Sequence, residues 1–201
     1  MNLKLCRLAL LLLLASVAFH VKAQSSTSEW KRYELGQGNF SVLFPREPRE
    51  ENPTAPASVG LKIESHIYST GGPEGTFVAQ YNLLGEPAAA WSAAAREIFQ
   101  DSVWIGAAEG VDKQMEAAKL EDRTRVIEKR AIKFSGYPGR EVVFTLGPLQ
   151  GRMWTTLIGR QAFVAMVVGS SQTLPAQQKF LDSFTIKLVP LGSSPKQTQT
   201  P

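Results

Sequence analysis

Seven consecutive apolar residues, Ala162–Val168, constrain this chain more than any other feature. A run this short, bounded by turn residues and rich in valine, reads as a strand. Because it is apolar at every position, it needs cover on both faces and belongs at the middle of a sheet. It closes a longer stretch, Lys129–Val168, in which apolar and β-branched runs alternate with short glycine-bearing turns, the pattern of an antiparallel meander. The spacing predicts strands over Thr124–Phe134, Arg140–Leu146, Gln150–Ile158 and Gln161–Gly169. The turns fall at Ser135–Gly139, Gly147-Pro148 and Gly159-Arg160, the last with glycine first, as a type II′ hairpin requires.

Upstream, Trp30–Leu35 and Phe40–Phe44 flank Gly36-Gln37-Gly38 and read as a hairpin. Pro45, Pro48, Pro53 and Pro56 make Pro45–Ser58 a surface loop. Gly60–Ser69 alternates, with Leu61, Ile63 and Ile67 on one face and Lys62, Glu64, His66 and Tyr68 on the other. Thr76–Leu84 is a more apolar strand. Pro87 opens a helix over Ala88–Ile105, on which Trp91, Ala94, Ala95, Ile98, Ser102 and Ile105 fall in one stripe with Phe99 beside it. Gly106 and Gly110 suggest a break, with Val111–Leu120 a second short helix. Pro175 opens a C-terminal helix to about Asp182, carrying Phe180 and Leu181 toward the sheet, and Thr185–Val189 reads as a short strand.

The N-terminus is a targeting signal. Lys4 and Arg7 precede the apolar run Leu8–Phe19, and Val21-Lys22-Ala23 supplies the small residues of a signal-peptidase site. The expected organisation is a signal peptide over 1–23, a mobile leader over 24–29, one domain over 30–189 and a disordered polar tail over 190–201. This implies a periplasmic or secreted protein without a transmembrane anchor after cleavage. Lys4, Arg7 and Lys22 leave with the signal and no acid does, so a formal charge of +4 falls to +1. That balance argues against a nucleic-acid partner. The chain's one cysteine, Cys6, also leaves, removing disulfide, thiol and cysteine-ligand chemistry.

Strands, a long central helix, a meander and a C-terminal helix define an α+β class, with an antiparallel sheet flanked by the two helices. Phe40-Ser41-Val42-Leu43-Phe44-Pro45, Gly136-Tyr137-Pro138-Gly139-Arg140-Glu141 and Phe180-Leu181-Asp182-Ser183-Phe184 carry a resemblance across the whole domain. On these residues the chain resembles the PsbP/Mog1-like α/β/α sandwich group, and within it uncharacterised exported bacterial proteins. The resemblance implies an antiparallel sheet between helices and a non-enzymatic accessory or binding role.

Candidate chemistry is sparse. His66 is the one histidine of the mature chain, and Glu64 and Tyr68 share its strand face, where a proton relay or part of a metal site would lie. One histidine with one carboxylate falls short of a zinc site, and a solvated strand face is the simpler reading. No nucleophile elbow or phosphate-cradling glycine motif occurs, and no metal or cofactor is expected. Trp104 falls opposite the helical stripe, and Trp154 shares a strand face with Arg152, Thr156 and Ile158. With Tyr137 and Arg140 they are the candidate interaction surface. The expected function is that of a soluble, non-catalytic binding or accessory protein whose partner, a protein or a small apolar ligand, the sequence does not name. The alternatives are a carrier of a lipid or small apolar ligand, housed between sheet and helix, and a small hydrolase built on His66.

Overall fold

The computed structural model describes residues 29–51, 63–85, 91–117, 119 and 121–188. The expected signal peptide, most of the leader and the tail lie outside them. Among the described residues the strands are β1 (Lys31–Leu35), β2 (Phe40–Phe44), β3 (Arg49–Glu51), β4 (Glu64–Gly72), β5 (Gly75–Leu83), β6 (Thr124–Phe134), β7 (Tyr137–Leu146), β8 (Leu149–Ile158), β9 (Gln161–Gly169) and β10 (Thr185–Ile186). The helices are α1 (Ala93–Ala117) and α2 (Leu174–Asp182).

The main sheet is antiparallel with the order β3-β4-β5-β9-β8-β7-β6. The apolar run is therefore its middle strand, and all nine residues of β9 are buried. Alternate residues of β9 feed two separate cores, as the period-two geometry of a strand demands. Ala162, Val164, Met166 and Val168 join Val142, Phe144 and Met153 beneath α1. Phe163, Ala165 and Val167 join Phe40, Phe44, Phe77, Phe134 and Phe180 on the opposite face. That second face is covered by α2 and by a separate small sheet, β1-β2-β10, so one cover is half strand rather than purely helical.

Four local expectations need correction. The loop expected over Pro45–Ser58 contains β3, which pairs Glu50 with Tyr68. Pro48 stands before it and Pro53 after it, a spacing that admits only a short strand at a sheet edge.

The expected break at Gly106 does not occur. α1 runs on through both Gly106 and Gly110, and both are buried. Burial of this part of the helix outweighs their poor helix propensity.

The helical stripe is rotated. Phe99, Val103, Trp104, Ala107 and Met115 are buried, whereas Ile98 is exposed. Trp91 precedes the first turn, so a wheel phased on it misplaces the buried face by about one residue, or ~100°.

The turn after β6 is also tighter than expected, comprising Ser135 (φ 51) and Gly136 (φ 86) alone, with β7 beginning at Tyr137. Gly139 is in the strand without a positive φ. A Cβ there would lie 2.6 Å from the Thr155 carbonyl oxygen on β8, so close approach of the neighbouring backbone is what calls for glycine. Gly159, with φ 58, leads its two-residue hairpin as expected.

Candidate functional site

Trp104, Arg140, Tyr137 and Trp154 do not form one surface. Trp104 is 6% exposed, and its ring stands 4.9 Å from that of Phe144, inside the core under α1. It is not the exposed anchor that the helical wheel suggested. Arg140 lies on the same side of the sheet, where it holds α1 down. It donates to Asp101 at 3.0 Å and to Glu97 at 2.8 Å, and Lys129 joins Asp101 at 2.8 Å. Tyr137 and Trp154 point to the other face and pack against the second core.

Around Trp154 a second constellation appears. Register places Arg130 of β6, Glu141 of β7 and Trp154 of β8 in one cross-strand row. The Glu141 side chain is wholly buried. The Trp154 indole donates to its Oε1 at 2.8 Å, Arg152 donates from Nε to the same oxygen at 2.6 Å, and Arg130 donates from Nε to Oε2. Burial alone would push the Glu141 carboxyl up. The three donors outweigh it and hold the group below the usual carboxylate range.

Arg152 is further fixed by a hydrogen bond to Gln178 of α2 and lies 5.7 Å from the Trp154 ring centroid. Trp154 itself stacks edge-on to Phe134 at 5.6 Å, while part of its ring remains in solvent. The result is a shelf of one tryptophan and two arginines locked from below by a buried carboxylate. Sequence reasoning began this strand at Arg140 but did not single out Glu141 beside it. The available signal was an acid at an inward position with basic residues on both flanking strands.

Glu64, His66 and Tyr68 do share a face, which passes from solvent at Glu64, whose side chain is 53% exposed, to burial at Tyr68. His66 pairs across to Tyr81, and the face belongs to the second core. The His66 side chain is 14% exposed, and both its ring nitrogens meet carboxylates: Nδ1 lies 3.3 Å from Glu50 Oε1 and Nε2 3.1 Å from Glu64 Oε1. The Tyr68 hydroxyl donates to Glu50 at 2.9 Å and accepts from the Gly36 amide at 3.1 Å. Burial, reinforced by Glu50 and opposed by the Gly36 amide, pushes the phenol up to about 12. The cluster ties the short edge strand β3 to β4 and to the β1–β2 turn. Among the described residues, no group of three or more His, Cys, Asp or Glu is placed to hold a metal ion.

The space between α1 and the sheet is not uniformly apolar. Asn82 Oδ1 accepts from Ser65 Oγ at 2.7 Å and from Gln80 Nε2 at 2.8 Å, and all three residues are buried.

An antiparallel sheet with a long helix on one face, and a short helix with a small sheet on the other, defines a PsbP-like α+β sandwich. The solution structure of cyanobacterial PsbP (CyanoP) from Synechocystis matches with a TM-score of 0.50 and 9% identity, covering 83% of this chain and 97% of that one. A Pseudomonas aeruginosa protein of unknown function aligns over 74% of this chain and 88% of its own, at 13% identity and a TM-score of 0.32. A Bacteroides thetaiotaomicron protein aligns over 79% of this chain and 48% of its own, at 12% identity and a TM-score of 0.35. At these identities the likeness is one of fold. No family model matches the chain, and no curated protein sequence does. No described helix is long and apolar enough to cross a membrane.

Proposed function

We propose that this chain is an exported, non-catalytic binding or accessory protein, and that the Trp154 shelf is where it holds a protein partner. The observation that carries this is the fixed geometry of Trp154 and Arg152. A partly exposed indole is pinned through its nitrogen to Glu141, and a guanidinium is held beside its ring by the same carboxylate and by Gln178. Tryptophan and arginine dominate interface hot spots, and pre-organised side chains lose little freedom on binding.

Two further observations weigh against the alternatives. Hydrolysis on His66 would need a hydroxyl handed to the ring as nucleophile. The ring nitrogens are instead engaged by Glu50 and Glu64, and the Tyr68 hydroxyl donates to Glu50. An apolar carrier needs a dry lining, whereas the Ser65–Gln80–Asn82 group introduces polar atoms beneath the helix.

Export rests on the basic, apolar and small-residue segments of the N-terminus. N-terminal sequencing of envelope protein should begin at or near Gln24, and an intact Met1 on the exported protein would refute that part.

The binding reading is tested by affinity capture from an envelope extract with the parent, Trp154→Ala and His66→Ala. Trp154→Ala should weaken capture of the same partner by about 2 kcal/mol or more, and His66→Ala should leave it intact. The opposite result, or a hydrolytic activity lost in His66→Ala, would move the functional site to the Glu64–His66–Tyr68 cluster.

A further inference from the structure

We propose that the free edge of β6 is a strand-addition site for an extended acidic segment of a partner protein. β6 is eleven residues long and ends the main sheet, and among the described residues no strand pairs with its outer side. An edge of that kind presents alternate unpaired backbone N–H and C=O groups; here the open stretch lies beyond Thr124, whose N–H donates to Asp112 Oδ1 of α1 at 2.8 Å.

Its composition sets what it will accept. From Arg125 to Ala131 every residue is exposed. A register shift between Val126 and Glu128 leaves Ile127 without a partner on β7. Ile127 is 59% exposed and Val126 44%. The strand carries Arg125, Lys129, Arg130 and Lys133 against the single acid Glu128; Lys129 is paired with Asp101, and Arg130 with Glu141 and Glu128, so Arg125 and Lys133 supply the local excess of base. Register puts Arg125 and Arg130 on the shelf side of the sheet and Lys129 and Lys133 on the α1 side, so an incoming strand meets positive charge on both faces.

Such an edge repels a second copy of itself, because like charges would face each other along the ladder. It favours a strand of opposite charge, whose main chain would complete the hydrogen bonds while its carboxylates meet Arg125 and Lys133. A competing occupant is the opposite edge of a second copy, where β3 reads Arg49-Glu50-Glu51, but that strand is only three residues long.

The proposal concerns the strand edge rather than the shelf and stands apart from the shelf reading. The test uses the full mature chain and an eleven-residue peptide alternating Glu with Val. It also uses the Lys–Val counterpart, and the Glu–Val peptide N-methylated at the alternate amides that would face β6. Anisotropy should show the Glu–Val peptide binding about tenfold or more tighter than the Lys–Val peptide, with hydrogen exchange slowed at alternate β6 amides. N-methylation should abolish that binding. The double variant Arg125→Glu/Lys133→Glu should reverse the charge preference, and Trp154→Ala should retain the Glu–Val peptide even if it loses the shelf's partner.

Equal binding of both charges, full binding of the N-methylated peptide or unprotected β6 amides would each overturn strand addition. Protection of those amides by self-association, without peptide, would identify a second copy as the occupant and likewise overturn the proposal.

Discussion

Trp154 stands directly across the ladder from Glu141, and its indole nitrogen donates to the Glu141 carboxylate at 2.8 Å. This one bond joins the most buried acid of the described residues to a partly exposed aromatic ring. The acid is the fixed point, and the ring and both arginines are oriented by it.

Glu141→Gln should therefore destabilise the protein by about 2 kcal/mol or more, since a neutral amide cannot accept from three donors as a carboxylate does. Arg130 is half exposed and can turn to water, which keeps the loss below that of a fully buried triad. The sign with pH follows from the lowered carboxyl. Its contribution is complete above the ordinary glutamate value of about 4.3 and is lost as pH falls through the depressed folded value. Urea melts at a series of acidic pH values, on parent and variant, should converge at the acid end. A gap that persists there would contradict the assignment.

Tyr68 makes the opposite case. Its phenol is raised to about 12. The stabilisation from keeping it neutral is present below the unfolded value of about 10 and disappears as pH climbs toward the folded one. Tyr68→Phe should cost about 1–3 kcal/mol near neutral pH, because the Gly36 amide loses its acceptor in a buried place. Burial also raises the Tyr81 phenol, so ultraviolet titration of the parent should find a late-ionising group of tyrosines that loses one member in the Tyr68→Phe variant.

Gly139→Val should destabilise by overpacking, by about 1–3 kcal/mol. The added side chain would press on the Thr155 carbonyl and on Phe134. Gly139→Ala should already show part of the loss, and equal denaturation midpoints for all three proteins would rule out the close approach. Gly136→Val at the turn should be destabilising for a different reason, its positive φ.

Trp104→Ala should lower the denaturation midpoint by an amount corresponding to about 3–5 kcal/mol, the cost of emptying a core aromatic site. Binding by whatever protein survives should be unchanged. A stable Trp104→Ala variant with impaired partner capture would mean that the tryptophan serves an interface after all.

How much of this was legible in the sequence depends on the physics of each element. Ala162–Val168 announced a central strand because only two-sided burial suits an unbroken apolar run. The meander and its Gly159-Arg160 turn followed from period-two alternation and glycine's access to positive φ. The phase of α1 was not legible, because Trp91 lies outside the helix, and the burial of Gly106 and Gly110 depends on how closely the helix approaches the sheet. The face shared by Glu64, His66 and Tyr68 was read correctly from alternation. Its cover was not, because the small sheet that closes that side comes from both ends of the domain. The Glu141 row was hidden for a related reason: register between three strands brings Arg130, Glu141 and Trp154 together, and no single segment contains them.

That small sheet has a consequence for the order in which the molecule is made. β10 pairs with β2, Ser183 bonds to the Leu43 amide and to Arg32, and the Lys187 amide donates to the Asn39 carbonyl. Residues near the end of the chain thus complete strands laid down near its beginning. In a chain delivered from its N-terminus, Phe40 and Phe44 precede the rings that pack on them, Phe184 and Phe180, by more than a hundred residues. The second core is closed by the segment that carries α2 and β10, and until that segment arrives the part of the core beneath it stays open.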